Sequence, residues 1–170
     1  GDEIEENVVQ QADELEAAQV RIKDAHILIV EDNPFNQLVI HDLLGLVGAV
    51  TVIVSNGQEA LGRLATEKFD LVLMDTQMPM MDGFETTRRI REKIEFAGQR
   101  IIAMTGNVTT EDREQCLSVG MDDFIPKPID PNQMYLILAK WLPDKPGLQG
   151  SKIKEAGEKG ELLSVESLPV

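Results

Sequence analysis

Phe69-Asp70-Leu71-Val72-Leu73-Met74-Asp75-Thr76-Gln77-Met78-Pro79-Met80-Met81-Asp82-Gly83 is the stretch that decides how this chain is read. Its first half has no alternation of polar and apolar residues, so it reads as a strand buried on both faces. Asp75 ends that strand, and a loop with Pro79 and Gly83 follows. A carboxylate in that place sits at the carboxyl edge of a sheet, where open α/β sheets put their chemistry.

Ile27-Leu28-Ile29-Val30 is a second apolar strand, and it ends in Glu31-Asp32-Asn33-Pro34. In a parallel sheet its carboxyl edge is the edge that carries Asp75. Three acidic groups then crowd one pocket. Like charges raise one another's pKa unless a cation neutralises them. Mg²⁺ suits two or so carboxylates with waters and a phosphoryl oxygen. Two later strand ends add to the edge. Arg100-Ile101-Ile102-Ala103-Met104-Thr105 brings a hydroxyl, followed by Gly106-Asn107, and Asp122-Asp123-Phe124-Ile125-Pro126-Lys127-Pro128 brings an ammonium.

The order Glu31/Asp32, Asp75, Thr105, Lys127-Pro128 on successive strand ends resembles the receiver domain of two-component response regulators. The resemblance covers about Ala25 to Leu142. It implies Mg²⁺-dependent phosphoryl transfer from a phosphohistidine to Asp75. Asp32, Asp75 and the backbone carbonyl of Gln77 are the implied metal ligands, with Glu31 acting through water. Lys127 and Thr105 are the implied catalytic groups on the phosphoryl oxygens. Thr105 and Phe124 match the switch pair, and Gln77 and Asn107 match the positions that tune attack of water. Glu31-Asp32-Asn33-Pro34-Phe35-Asn36-Gln37 and Met121 to Ile129 resemble the receivers fused to hybrid sensor histidine kinases. On this reading the chain is a self-phosphorylating acceptor, and the kinase activity belongs to the parent. The alternatives are a stand-alone response regulator and a pseudo-receiver that serves only as an interaction module. The implied partners are kinase dimerisation and phosphotransfer helices and a histidine phosphotransfer domain.

Rival classes fail on particular absences. A haloacid-dehalogenase-like phosphatase needs a second Asp at position 77, where Gln77 stands. A P-loop needs G-x-x-x-x-G-K-[ST], which is absent. A dinucleotide binder needs G-x-G-x-x-G after the first strand, where Glu31-Asp32-Asn33-Pro34 stands.

Around these motifs, strands and helices alternate. Phe35, Val39, Leu43 and Leu46 repeat at helical spacing over Pro34 to Val47. Val50 to Val54 reads as a strand. Asn56-Gly57-Gln58-Glu59 has capping-box spacing for a helix through about Glu67, and Asp82-Gly83-Phe84-Glu85 repeats it for a helix through about Phe96. A helix from about Thr110 to Val119 ends at Gly120, and Asp130-Pro131 opens another that runs to Trp141. Five βα units predict an α/β, flavodoxin-like, doubly wound parallel sheet of five strands in the order 2-1-3-4-5, with helices on both faces.

The receiver unit is expected over residues 24–143. Residues 1–23 read as an amphipathic linker helix with a weak heptad seam at Ile4, Val8, Gln11, Leu15, Ala18 and Ile22, solvated rather than coiled or docked. Residues 144–170 read as a flexible linker rich in Pro, Gly, Lys and Glu, with Leu162 to Val165 as a short added element. The formal net charge of −14 argues against nucleic acid as a partner. The single Cys116 excludes an internal disulfide framework and fits a reducing compartment. No apolar run nears the ~20 residues of a membrane helix, so no direct membrane contact and a cytoplasmic location are expected, with a parent that is free to be membrane-anchored. His41 and His26 read as ordinary surface histidines, Cys116 as a packed residue, and Met78, Met80 and Met81 as gap fillers beside the site.

Overall fold

Uninterrupted apolar runs become the middle of a five-stranded parallel sheet. The computed structural model describes residues 2–106 and 109–144. The elements are α1 (Asp2–Ile22), β1 (His26–Val30), α2 (Pro34–Leu46), β2 (Val50–Val54), α3 (Gly57–Thr66), β3 (Leu71–Asp75), α4 (Gly83–Arg91), β4 (Ile101–Thr105), α5 (Thr110–Ser118), β5 (Asp123–Pro126) and α6 (Pro131–Lys140). The strand order is β2-β1-β3-β4-β5, every pairing is parallel, and the fold is the expected flavodoxin-like one. All five residues of β3 and all five of β4 are buried.

Alternate side chains of each inner strand feed two cores. Ile27, Ile29, Leu71, Leu73, Ile102 and Met104 pack with Ile40 and Leu44 of α2 and with Met134 and Leu138 of α6. Leu28, Val30, Val72, Met74, Ile101 and Ala103 pack with Ala60 and Leu64 of α3, Ile90 of α4 and Cys116 of α5. Truncating a fully buried Leu, Ile or Met of these cores, such as Leu44, Leu73 or Ile102, to Ala costs about 2–5 kcal/mol. In a parallel β/α fold this packing turns all five carboxyl ends to one edge.

The helices start where capping chemistry directs. Asn33 Oδ1 accepts from the N–H groups of Phe35 and Asn36. Asn56 caps α3 through Glu59 N–H, Asp82 caps α4 through Glu85 N–H, and Asp130 caps α6 through Gln133 N–H. Gly120, at φ +105°, closes α5 in the left-handed region that glycine adopts without a Cβ penalty.

Two expectations change. The helix after β3 stops at Arg91, and Lys93 is extended before a 3₁₀ turn at Ile94–Phe96. Tertiary bonds override the local periodicity here: Arg91 donates to Gly120 O and Phe96 O and pairs with Asp122, and Ile94 is left exposed. The N-terminal helix is not solvated throughout. Ala18 and Ile22 are buried and Leu15 packs on the same core. Arg21 donates to Ala139 O at 3.0 Å and pairs with Asp144. Half of the heptad seam is thus used against α6. Residues 145–170, including Leu162 to Val165, lie outside the described residues. No helix among the described residues is long and apolar enough to cross a membrane.

Candidate phosphoacceptor site

Three strand ends build the site. Glu31 follows β1, Asp75 ends β3, and Lys127 follows β5. Glu31 and Asp75 are almost wholly buried, at 1% and 2% exposure. Lys127 Nζ lies 3.0 Å from Asp75 Oδ1 and 3.4 Å from Glu31 Oε1. Gln77 N–H donates to the same Asp75 oxygen at 3.0 Å. Carboxylate oxygens of Glu31, Asp32 and Asp75 all lie within 4.8 Å of one another.

The main chain around Glu31 is fixed. Its N–H donates to Val54 O, its carbonyl accepts from Gln37 Nε2, and its Oε2 accepts from Asn33 N–H. Asn33, and not Asp32, caps α2, so the Asp32 carboxylate is not spent on helix entry. Burial pushes the Glu31 carboxyl up to about 7, and the nearby Asp75 charge adds to that; Asn33 N–H and Lys127 oppose it. Burial alone would lower the Lys127 ammonium, but its hydrogen bond to Asp75 and the charges of Asp75 and Glu31 outweigh burial and raise it.

Three carboxylates against one ammonium leave the pocket short of positive charge. A hard divalent cation with oxygen ligands fits that donor set, and Mg²⁺ is the natural candidate.

Thr105 is buried at the end of β4, and its carbonyl accepts from Lys127 N–H at 2.8 Å, so both later strand ends are tied together. Phe124 is half-buried on β5, with the Arg113 guanidinium 4.9 Å from its ring centre. Gln77 is exposed at the start of the β3–α4 loop. Asn107 lies outside the described residues. Of the loop methionines, Met78 is buried, but Met80 stands fully in solvent at φ +72° and fills no gap. His41 is not part of this constellation: it lies on α2 with Nδ1 2.8 Å from Thr51 Oγ1 on β2.

Two contributors carry no separate sequence expectation. A Cβ on Gly83 would land on the Asp75 carbonyl oxygen, so only glycine lets α4 begin this close behind Asp75. The signal was its place in the Asp82 capping motif, which explains the helix start but not the contact. Arg113 over Phe124 had no signal at all, because the two are brought together only by the packing of α5 on β5.

An acidic trio and a lysine on the carboxyl edge of a 2-1-3-4-5 sheet define a receiver. The response regulator receiver domain family matches residues 27–139, and the chain belongs to that family. The chain is 42% identical over 118 residues to the sensor histidine kinase GacS of Pseudomonas protegens, a match that takes 68% of this chain and 13% of that protein. It thus spans a small part of the length of that relative. The receiver domain of the sensor histidine kinase PA1611 from Pseudomonas aeruginosa, with magnesium coordinated in its active-site cleft, is similar at 38% identity and a TM-score of 0.64, covering 69% of this chain and 96% of that one. The receiver of Ssk1 in complex with the histidine phosphotransfer protein Ypd1 of Saccharomyces cerevisiae is similar at 26% identity and a TM-score of 0.66, covering 71% and 90%.

Proposed function

We propose that Asp75 is the phosphoacceptor of a phosphorelay and that the chain works as the receiver of a hybrid sensor histidine kinase. The observation that carries this reading is the buried Asp75 carboxylate flanked by two more carboxylates and by the Lys127 ammonium at 3.0 Å. Asp75 Oδ1 already takes two donors, Lys127 Nζ and Gln77 N–H, which leaves Oδ2 to attack. A new phosphorus–oxygen bond forms there as the phosphorus–nitrogen bond of the donor breaks, and the imidazole leaves neutral with its proton on the other ring nitrogen. Asp32, Asp75 and the Gln77 carbonyl would hold Mg²⁺, with Glu31 acting through water, and the ion would supply positive charge for the phosphoryl oxygens. Lys127 supplies a second positive charge, and the Thr105 hydroxyl takes a further oxygen. Phe124 follows Thr105 when the phosphoryl group draws that hydroxyl inward.

The partner docks on α2. Phe35 and Leu38 are 71% and 56% exposed on its first turns, and a cavity of about 190 Å³ separates Phe35 and Val39 from Lys127 and Pro128. The Ypd1 complex of a similar receiver supports a histidine phosphotransfer domain as this partner. The test is to incubate the phosphorylated chain with a histidine phosphotransfer protein from the same genome. Transfer within minutes, lost on Leu38→Asp, supports the relay. Phosphate that stays on the receiver with every such partner contradicts it.

A further inference from the structure

The exposed half of α1 is the largest feature that the phosphorelay reading does not use, and the role inferred for it rests on that reading. The seam of α1 is buried only at its end, through Leu15, Ala18 and Ile22. Arg21 reaches Ala139 O in the last turn of α6, so the two helices lie with their C-terminal ends together. α6 has 10 residues and α1 has 21. At 1.5 Å per residue, α6 accounts for about 15 Å and α1 for about 31 Å. The first half of α1 therefore runs on beyond the first turn of α6. That turn follows the Lys127-Pro128 loop, so the overhang stands at the edge that carries Asp75, on the sheet face shared by α2 and α6.

The overhang has a definite chemistry. Ile4, Val8 and Val9 are 66%, 58% and 59% exposed. Asp2, Glu3, Glu5, Glu6, Asp13 and Glu14 surround them, and no Lys or Arg occurs before Arg21. A second copy of the chain would set six carboxylates against six, with the better half of the seam already used. An anionic membrane surface would be repelled. A helix with apolar and basic residues on one side matches both features. The molecule that must come to this edge is the one that exchanges phosphate with Asp75.

We propose that the free half of α1 is a second docking surface for the histidine-bearing partner, and that it takes a basic amphipathic helix of that partner. Apolar contact through Ile4 and Val8 holds the helix, and the acidic rim steers it towards Asp75.

The experiment compares two phosphate donors on the full chain: acetyl phosphate with Mg²⁺, and a phosphorylated histidine phosphotransfer protein from the same genome. Ile4→Ser/Val8→Ser and Glu5→Lys/Glu6→Lys change only exposed residues, and far-ultraviolet circular dichroism checks that the fold is kept. Both variants should take phosphate from acetyl phosphate at the wild-type rate. With the protein donor, kcat/KM should fall about tenfold or more through KM, and the charge variant should lose most of its salt dependence. Wild-type kcat/KM with the protein donor in both variants would overturn the proposal. So would a wild-type dimer in light scattering that Ile4→Ser/Val8→Ser dissolves, because the occupant would then be a second copy. Failure of the wild-type chain to react with acetyl phosphate would instead strike at the phosphoacceptor reading of Asp75 itself.

Discussion

The two edges of the sheet both gather charge, but they balance it in opposite ways. At the amino edge the charges gathered around Asp122 are matched. Asp122 accepts from Ile101 N–H and pairs with Arg91 and Arg100. Arg91 also donates to Gly120 O and Phe96 O. Arg100 lies 5.0 Å from the Trp141 ring centre, and Trp141 Nε1 donates to Asp123. At the carboxyl edge three carboxylates gather around one ammonium, which pairs with two of them, Glu31 and Asp75. A matched cluster holds a structure together. An unmatched one keeps a cost in the folded state, and that cost is relieved when a proton or a cation arrives.

The contrast gives mutations of opposite sign. Asp32→Asn should cut Mg²⁺-dependent phosphorylation by about 100-fold or more, since it removes a metal ligand from a site with few. Its melting temperature without metal should hold or rise slightly, because a repulsive charge is gone. Radiolabel uptake and calorimetry on the same preparation check both halves. Unchanged uptake would break the assigned ligand set.

Asp122→Ala is the reverse case. Arg91 loses its carboxylate partner in a largely enclosed site, and Ile101 N–H loses its acceptor. A loss of about 2–3 kcal/mol is expected in urea unfolding, at the low end of the cost of breaking an enclosed pair. Phosphorylation with acetyl phosphate should stay within about twofold of wild type. Equal stability of this variant and wild type would erase the distinction between the edges.

A smaller effect comes with pH. Glu31 is held up to about 7 in the folded chain, foremost by burial, against 4.5 as its ordinary value. The folded state then holds more protons than the unfolded state between those values, so this group's contribution is intact below about pH 4.5 and is lost as pH rises through 7. Without metal, the melting temperature should fall from pH 5 to 7.5 more steeply in wild type than in Glu31→Gln. Mg²⁺ should bind more tightly at pH 8 than at pH 6, because the metal needs the ionised carboxylates. Parallel pH profiles of the two proteins would argue that Glu31 ionises freely.

The reasons some parts were legible in the sequence and others not are physical. β3 and β4 are buried on both faces, so their residues 71–75 and 101–105 had to be nearly all apolar, and such runs are visible without alignment. Asn56, Asp82 and Asp130 could be read as caps because capping is a local bond over three residues. The grouping of Glu31 and Asp75 with Lys127 was legible because a parallel sheet sends all carboxyl ends to one side. The end of α4 was not, because Arg91 is held by Gly120 and Asp122, about thirty residues further along the chain. The docking of α1 was not, since a heptad seam does not say which helix will cover it. The Gly83 contact was hidden because a close backbone approach leaves no trace except the absence of a side chain.

The central claim is that Asp75 is where phosphate is received. The direct measurement is mass spectrometry of the chain after reaction with acetyl phosphate and Mg²⁺, followed by borohydride trapping and peptide mapping. A single adduct at Asp75, absent without Mg²⁺, absent in Asp75→Asn and released by hydroxylamine, is the expected result. An adduct on His41, or one that survives hydroxylamine or forms equally in Asp75→Asn, would contradict it.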